Sequence, residues 1–222
     1  MSVVDASMTS NAGAGASAYH DGGDRAAARP GEGDMTRTIF YTATTLDGFL
    51  ADERDSLDWL LSQPLEPGMS EAMEAFTKGA GALVMGATTY EWVIAHGLGE
   101  GGAWPYAQPT WVFTHRDDLP RIEGDIRFVA GDVAGIHPEL VSAAGERDVW
   151  VVGGGDLAAQ FAAAGLLDEI EATIAPVVLG GGRPLFTRAF DLELLEASRS
   201  GVFVSTRYRV LGPRGARTVP AR

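Results

Sequence analysis

Residues 148–186 read DVWVVGGGDLAAQFAAAGLLDEIEATIAPVVLGGGRPLF, and this stretch decides the fold. The continuous apolar run at residues 149–152 is typical of a strand buried on both faces of a parallel sheet. Three glycines follow, and Asp156 then stands where the N-cap of a helix is expected. Gly165 is a natural end for that helix. The stretch therefore predicts a strand, a glycine turn and a helix, which together present free N–H groups to an anion.

The glycine run is compatible with two other interpretations. Gly153-x-Gly155-x-x-Ala158 matches the dinucleotide fingerprint of the Rossmann fold. A Rossmann fingerprint usually opens its domain, however, whereas roughly two-thirds of this chain precedes the run. A plain tight turn between a strand and a helix would also use glycines here. Spacing alone leaves these interpretations open.

Composition and charge narrow the classes of function. The chain has 222 residues, 45% of them apolar, which favours a single globular domain. A net charge of −13 argues against nonspecific binding of nucleic acid, which needs a basic face. The absence of cysteine excludes disulfides and thiolate metal sites, and we predict no metal site. With no apolar span of membrane length and no signal peptide, we expect a cytoplasmic protein that does not bind membranes.

The chain divides into three parts. Residues 1–35 are rich in alanine, glycine, serine and aspartate without apolar periodicity, so they are predicted to be a disordered tail. Residues 36–211 form the predicted α/β domain, and residues 212–222 are predicted to be a frayed tail. Apolar periodicity predicts strands at 38–44, 83–86, 110–114, 126–129 and 169–174, helices at 69–76 and 138–144, and closing antiparallel strands at 192–197 and 201–210.

An acidic loop follows the first predicted strand. Asp47-Gly48 is a strong turn signal, and ligands bind at the carboxyl ends of strands in open α/β sheets. Trp59 closes the loop. Its side chain is predicted either to be buried in the core or to form one wall of a lid over a substrate. Asp58 and Trp59 are therefore the candidate substrate contacts. Asp47 is a candidate catalytic carboxylate at this end of the strand.

Four motifs, taken in order along residues 36–210, carry a family resemblance. They are LDGFLA at 46–51, VMGATTYE at 84–91, THR at 114–116, and the long stretch from 151 to 186. With these motifs the chain resembles the dihydrofolate reductase-like superfamily. It is most similar to stand-alone proteins like the reductase domain of the bifunctional deaminase-reductase of riboflavin biosynthesis. Four ordered matches favour this family over the Rossmann fold.

The resemblance implies a mostly parallel central sheet flanked by helices, with antiparallel strands at the C-terminus. It implies NADPH across the carboxyl ends of the strands, a cis peptide within the glycine run, and a homodimer formed through the late strands. The glycine run would line the diphosphate, residues 114–116 would lie near the 2′-phosphate, and residue 43 would approach the nicotinamide. The implied cofactor contacts are Ala43, Gly86, Thr88, Thr89, Thr114, His115, Arg116, Val152, Gly153, Gly154, Gly155, Asp156 and Leu157.

Two positions depart from the family pattern. Ala87 stands where an arginine often follows the glycine of the second motif, so preference for NADPH over NADH would depend on Arg116 alone. Asp156 places a negative charge where a diphosphate is expected. Both changes are expected to weaken cofactor binding.

The function implied by the resemblance is an NADPH-dependent reductase that transfers hydride to a C=N or C=O of a small heterocyclic substrate. The most similar reaction is that of 5-amino-6-(5-phosphoribosylamino)uracil reductase in riboflavin biosynthesis. A first alternative is dihydrofolate reductase, in which a carboxylate early in the first helix holds the pterin; Glu71 is the nearest candidate. A second alternative is a nucleotide-binding protein that kept the fold and lost turnover.

Overall fold

The structure is a computed structural model that describes residues 36–64 and 67–215. The tail predicted at residues 1–35 lies outside the described residues, as do residues 216–222. The strands are β1 Thr38–Thr45, β2 Phe49–Ala51, β3 Ala80–Gly86, β4 Thr110–Phe113, β5 Ile126–Val129, β6 Asp148–Gly153, β7 Glu169–Ala175, β8 Arg183–Pro184, β9 Phe190–Ser200 and β10 Phe203–Pro213. The α-helices are α1 Asp58–Leu61, α2 Pro67–Gly79, α3 Ala87–His96, α4 Val133–Ala144 and α5 Gly155–Ala163.

One eight-stranded sheet, with the order β5-β4-β3-β6-β1-β7-β10-β9, organises the domain. In the order across the sheet, every neighbouring pair from β5 through β4, β3, β6 and β1 to β7 is parallel. β10 pairs antiparallel with both β7 and β9. This is the mostly parallel sheet with closing antiparallel strands that the sequence predicted, so that prediction is confirmed. β2 and β8 form a separate two-stranded sheet.

Strand β6 lies near the middle of the sheet because its residues are apolar on both faces. Val149 and Val151 are fully buried on the face covered by α4 and α5. Trp150 is buried on the other face, in the cluster that includes Met85 and Tyr90. Helices on both faces explain why this strand is a continuous apolar run without alternation. No helix in the described part of the chain is long and apolar enough to cross a membrane.

Several predicted boundaries were wrong. Helix α4 begins at Val133, because the carboxylate of Asp132 accepts a hydrogen bond from the N–H of Ala134, 3.2 Å away, and Pro138 lies inside the helix. The last strand extends through Pro213, so the frayed tail does not begin at residue 212. The parallel order of the sheet and its antiparallel end also exclude the Rossmann interpretation.

Candidate active site

A cavity of about 570 Å³ lies at the carboxyl ends of the central parallel strands. Its walls come from the ends of β1, β3, β4 and β6, the first turns of α3 and α5, the loop that leads to α1, and β8. The carboxyl edge of a parallel sheet is where ligands bind in this class of fold. The glycine turn after β6 therefore faces a space that can hold a ligand.

Two helices begin side by side in this cavity. Gly86 is the N-cap of α3 and Gly154 is the N-cap of α5, both in extended conformation. Neither helix has a side-chain hydrogen bond at its N-cap. A Cβ built on Gly86 would lie 4.0 Å from the backbone nitrogen of Gly154, so the two helix starts are adjacent. The first-turn N–H groups and positive ends of both helices favour an anion at this point.

The three glycines at residues 153–155 have different surroundings. Gly153 has a φ of 158°, and a Cβ there would lie 3.0 Å from the hydroxyl oxygen of Thr89. A Cβ on Gly155 would overlap the backbone carbonyl oxygens of residues 184–185. A Cβ on Gly154 would meet no atom within 4 Å, so packing of the fold does not require glycine at this lining position. The peptide bond between Gly153 and Gly154 is cis, which confirms that expectation.

Asp156 lies in the first turn of α5 and does not cap it, contrary to the sequence prediction. Its carboxylate accepts hydrogen bonds from the amide of Gln160, 2.8 Å away, and from the hydroxyl of Thr187, 3.0 Å away. All three residues line the cavity. The negative charge of Asp156 is therefore held by two neutral donors at the rim of the expected diphosphate site.

An ion pair closes another part of the cavity wall. The Nε and Nη2 atoms of Arg183 donate to the two carboxylate oxygens of Asp55, at 2.5 Å and 2.9 Å. The backbone of Arg183 pairs with Ala51 across the small sheet of β2 and β8. A Cβ on Gly182 would overlap the carbonyl oxygen of Ala51, so the close approach of these strands requires glycine at that position.

Trp59 is buried in the core and also forms part of the cavity wall, while its contact with a substrate stays a prediction. It is only 8% exposed and packs in a cluster with Ala175 and Phe203. It also lines the cavity together with Leu57 and Leu60. The indole N–H is buried and has no hydrogen-bond partner within the described residues. Leu57, Trp59 and Leu60 make this part of the wall apolar, whereas the part at the helix starts is rich in peptide N–H groups.

The structure brings most of the predicted cofactor contacts to one place. The predicted residues that line the cavity are Ala43, Trp59, Gly86, Thr88, Thr89, Val152, Gly153, Gly154, Gly155, Asp156 and Leu157. The predicted residues that do not line it are Asp47, Asp58, Glu71, Thr114, His115 and Arg116.

Asp47 stabilises a turn away from the cavity. Its carboxylate accepts hydrogen bonds from the hydroxyl of Thr45 at 2.6 Å and from the N–H groups of Leu179 and Gly180 at 3.2 Å and 2.7 Å. The hydrogen bond from Thr45 is the main reason that the pKa of Asp47 lies below its ordinary value. A carboxylate held in its ionised form by three donors is a poor proton donor. The geometry therefore gives Asp47 a structural role in place of the expected catalytic one.

The other two candidate acids also lie outside the cavity. Glu71 is exposed on α2, and none of the described residues of that helix lines the cavity. Asp58 is exposed in the first turn of α1, and only its neighbours Leu57 and Trp59 reach the wall. The structure thus brings neither carboxylate to the space where a substrate would lie.

Arg116 is engaged by acids of its own chain. Its guanidinium donates to both carboxylate oxygens of Glu91 on α3, at 2.9 Å and 3.0 Å, and to Asp118 at 2.9 Å and 3.3 Å. These hydrogen bonds raise the pKa of Arg116, with Asp118 contributing most. Beside it, the hydroxyl of Thr114 accepts the N–H of Arg116 at 2.9 Å, and His115 is exposed.

Sequence reasoning missed part of the cavity wall. Asp55, Leu57, Leu60 and Gln160 line the cavity but carried no motif. The sequence marked Arg183, after the second glycine run, either as an anion site for a substrate phosphate or as a structural residue of the hairpin. Its partner Asp55 lies 128 residues earlier, so no local signal could have joined the two.

The comparisons with known proteins agree with this architecture. The family model of the RibD C-terminal domain matches residues 104–202, which include the glycine turn and Arg183. The protein YwjB of Bacillus subtilis strain 168 is 30% identical over 176 residues, which cover 78% of this chain and 97% of YwjB.

Solved structures extend the comparison. A protein from Shewanella sp. PV-4, whose name assigns it to riboflavin biosynthesis, is 29% identical with a TM-score of 0.68, covering 79% of this chain and 99% of its own. Dihydrofolate reductase from Enterococcus faecalis, solved in complex with NADP(H), is 15% identical with a TM-score of 0.55, covering 79% of this chain and 96% of its own. At that identity the second similarity concerns the fold alone.

Proposed function

Because this chain belongs to the RibD C-terminal domain family, within the dihydrofolate reductase-like superfamily, we propose that it is an NADPH-dependent reductase. Its substrate would be a small heterocyclic molecule with a reducible C=N or C=O bond. The observation that carries the proposal is the meeting of two helix starts, at Gly86 and Gly154, in one cavity. When bound, the nicotinamide cofactor supplies the hydride, and the protein supplies position and electrostatics.

The helix starts would hold the diphosphate of the cofactor. Peptide N–H groups in the first turns of α3 and α5 can donate to phosphate oxygens without any cationic side chain. Both N-caps are glycines, so the N-cap residue itself offers no side-chain acceptor to these N–H groups. The open space beside Gly154 lets phosphate approach the backbone closely. The residues present thus fit a diphosphate group.

The strand ends and the apolar wall would position the reacting groups. Ala43, at the carboxyl end of β1, has a side chain small enough for a planar ring to lie against it. Trp59, Leu57 and Leu60 form the apolar wall that would exclude water from a bound substrate. Exclusion of water strengthens the electrostatic interactions that orient the substrate.

The proton would come from water. Asp55 and Asp156 are the carboxylates among the described lining residues, and both accept hydrogen bonds from neighbouring side chains. Each of these carboxylates is therefore engaged by donors of the protein itself. Glu71, Asp47 and Asp58 lie outside the cavity. We expect solvent that reaches the open side of the cavity to protonate the reduced substrate.

Membership of this family supports a reaction similar to 5-amino-6-(5-phosphoribosylamino)uracil reduction. Dihydrofolate reduction is a weaker candidate, because the carboxylate expected for the pterin, Glu71, does not line the cavity. Binding of a nucleotide without turnover is the remaining alternative. The cytoplasmic location stays a prediction.

Turnover tests the proposal directly. Purified protein is titrated with NADPH while tryptophan fluorescence is followed, and the absorbance of the reduced nicotinamide is then monitored after each substrate is added. We expect NADPH to bind and to be oxidised with a ribosylaminopyrimidine substrate, but not with dihydrofolate. Binding without oxidation would favour the alternative without turnover, and absence of binding would contradict the proposal.

A further inference from the structure

The charges around the cavity are few and unevenly distributed. Among the lining residues that the structure describes, the charged side chains are Asp55, Asp156 and Arg183. The wall therefore carries a net negative charge, and Arg183 is its one cation. Any phosphate group on a substrate would have to be held by Arg183 or compete for the helix starts, which the proposed function assigns to the cofactor.

Arg183 is already occupied, and both partners of its ion pair are held in place. The pairing of β2 with β8 fixes the backbone of Arg183. The carboxylate of Asp52 accepts hydrogen bonds from the N–H groups of Arg54 and Ser56, at 2.8 Å and 2.9 Å, and so folds the loop around Asp55. Asp55 itself adopts a φ of 62°, which turns the chain back toward β8.

The geometry of this pair disfavours a second anion at Arg183. The Nε and Nη2 atoms of Arg183 face the two oxygens of Asp55 in the bidentate arrangement that a phosphate would otherwise use. A phosphate dianion would have to displace Asp55 and then lie beside its carboxylate, where like charges repel. An uncharged ring meets no such obstacle, because Trp59 and Leu57 offer it an apolar wall.

We propose that the substrate is an uncharged heterocycle or nucleoside without a phosphate group, and that Asp55 is the residue that imposes this selectivity by occupying Arg183. The proposal rests on the proposed function and narrows its substrate class. It separates this chain from a reductase of 5-amino-6-(5-phosphoribosylamino)uracil, whose substrate carries a phosphate.

The test uses two compounds that differ only in that phosphate: 5-amino-6-(ribosylamino)uracil and its 5′-phosphate. Their affinities are measured by calorimetry on the full chain saturated with NADPH, for the wild type and for Asp55→Asn. Asparagine accepts the left-handed conformation of residue 55, so the loop is kept. Glu53→Gln is the matched control, since it removes one negative charge from the same loop at an exposed position outside the cavity.

The wild type is expected to bind the nucleoside at least as tightly as its phosphate. Asp55→Asn should tighten binding of the phosphate by roughly tenfold or more, through the freed Arg183, and change binding of the nucleoside less than about twofold. Adding Arg183→Gln to Asp55→Asn should remove the gain. Glu53→Gln should leave both affinities as in the wild type.

Three results would overturn the proposal. The first is a wild type that prefers the phosphate by about tenfold or more. The second is an Asp55→Asn variant without any gain for the phosphate. The third is a wild type loaded with NADPH that binds neither compound. Failure of NADPH itself to bind, measured first in the same instrument, would instead contradict the proposed function.

Discussion

Gly86 and Gly154 begin α3 and α5 so close together that a Cβ on Gly86 would lie 4.0 Å from the backbone nitrogen of Gly154. The two helices follow β3 and β6, which are neighbours in the sheet. Their adjacency therefore follows from the order of the strands. Two helix N-termini that open into one cavity attract an anion more strongly than either alone.

Gly155 should be essential for stability rather than for ligand binding. Alanine at this position would place its Cβ against the carbonyl oxygens of residues 184–185, so Gly155→Ala should lower the free energy of unfolding by about 3 kcal/mol. Urea unfolding measures the loss. Gly135→Ala, in the first turn of α4 with no atom within 4 Å of the added Cβ, is the control and should leave stability unchanged or slightly higher. Equal stability of Gly155→Ala and the wild type would contradict the packing described.

Cofactor preference should be weak because Arg116 is paired with Glu91 and Asp118. We expect NADH and NADPH to bind with affinities within about threefold of each other, since the 2′-phosphate finds no free cation there. Glu91→Gln should free part of the guanidinium and shift the ratio toward NADPH by about fivefold or more. Parallel fluorescence titrations give the ratio, with Glu139→Gln, exposed on α4, as the control. A wild type that strongly prefers NADPH would show that the phosphate displaces these acids.

Stability should depend on pH through Glu171. Burial, partly offset by Arg207, raises the pKa of this carboxyl above its ordinary value of 4.5. Because the folded state binds the proton more tightly, the stability associated with Glu171 is fully present below the unfolded pKa and is lost as pH rises through the folded pKa. Glu171→Gln should therefore be more stable than the wild type near about pH 7, and the difference should vanish near about pH 4.

Urea unfolding at both pH values, with the exposed Glu123→Gln as the control, measures the Glu171 effect. A constant difference between the variant and the wild type at the two pH values would show that ionisation of Glu171 is not its cause. A variant that is less stable than the wild type near neutral pH would reverse the predicted sign.

The late strands offer a surface for self-association. β9 is at the edge of the sheet, and Leu192 and Leu194 are 40% and 57% exposed on it. They pair across the strands with Val210 and Tyr208, so they lie on the face that packs against α5. We expect a homodimer formed through the late strands, and Leu194→Glu should convert it to a monomer. Light scattering after gel filtration measures the mass. The control is Leu46→Glu, which changes an exposed leucine on a loop and should leave the protein dimeric. A monomeric wild type would contradict the expectation.

The sheet could be predicted from sequence because its strands have unambiguous patterns. The apolar run at 149–152 predicts cover on both faces, and the alternation from 202 to 210 predicts a strand with one buried face. The beginnings of helices were less predictable. Pro138 looks like a helix start, although the capping residue is Asp132. Asp156 looks like an N-cap, although Gly154 begins the helix through its extended backbone alone.

The glycine turn at residues 153–155 could be predicted from the sequence, but the ion pairs around it could not. Gly153 and Gly154 are contiguous, so one local motif places them. The ion pairs of Arg183 with Asp55 and of Arg116 with Glu91 join residues 128 and 25 positions apart. Only the folded chain shows that each arginine is paired with a carboxylate, and in the cavity this bears on the anions that Arg183 can accept.

The most direct test of the account is the affinity for NADPH of the wild type and of Gly154→Ala, measured by calorimetry. The added methyl group meets no protein atom within 4 Å, and the φ of −94° suits alanine, so thermal unfolding should be unchanged. It would occupy the space that we assign to the diphosphate. The account predicts that the wild type binds NADPH and that Gly154→Ala binds it at least about tenfold more weakly. Equal affinity of the two proteins, or no binding by the wild type, would contradict it.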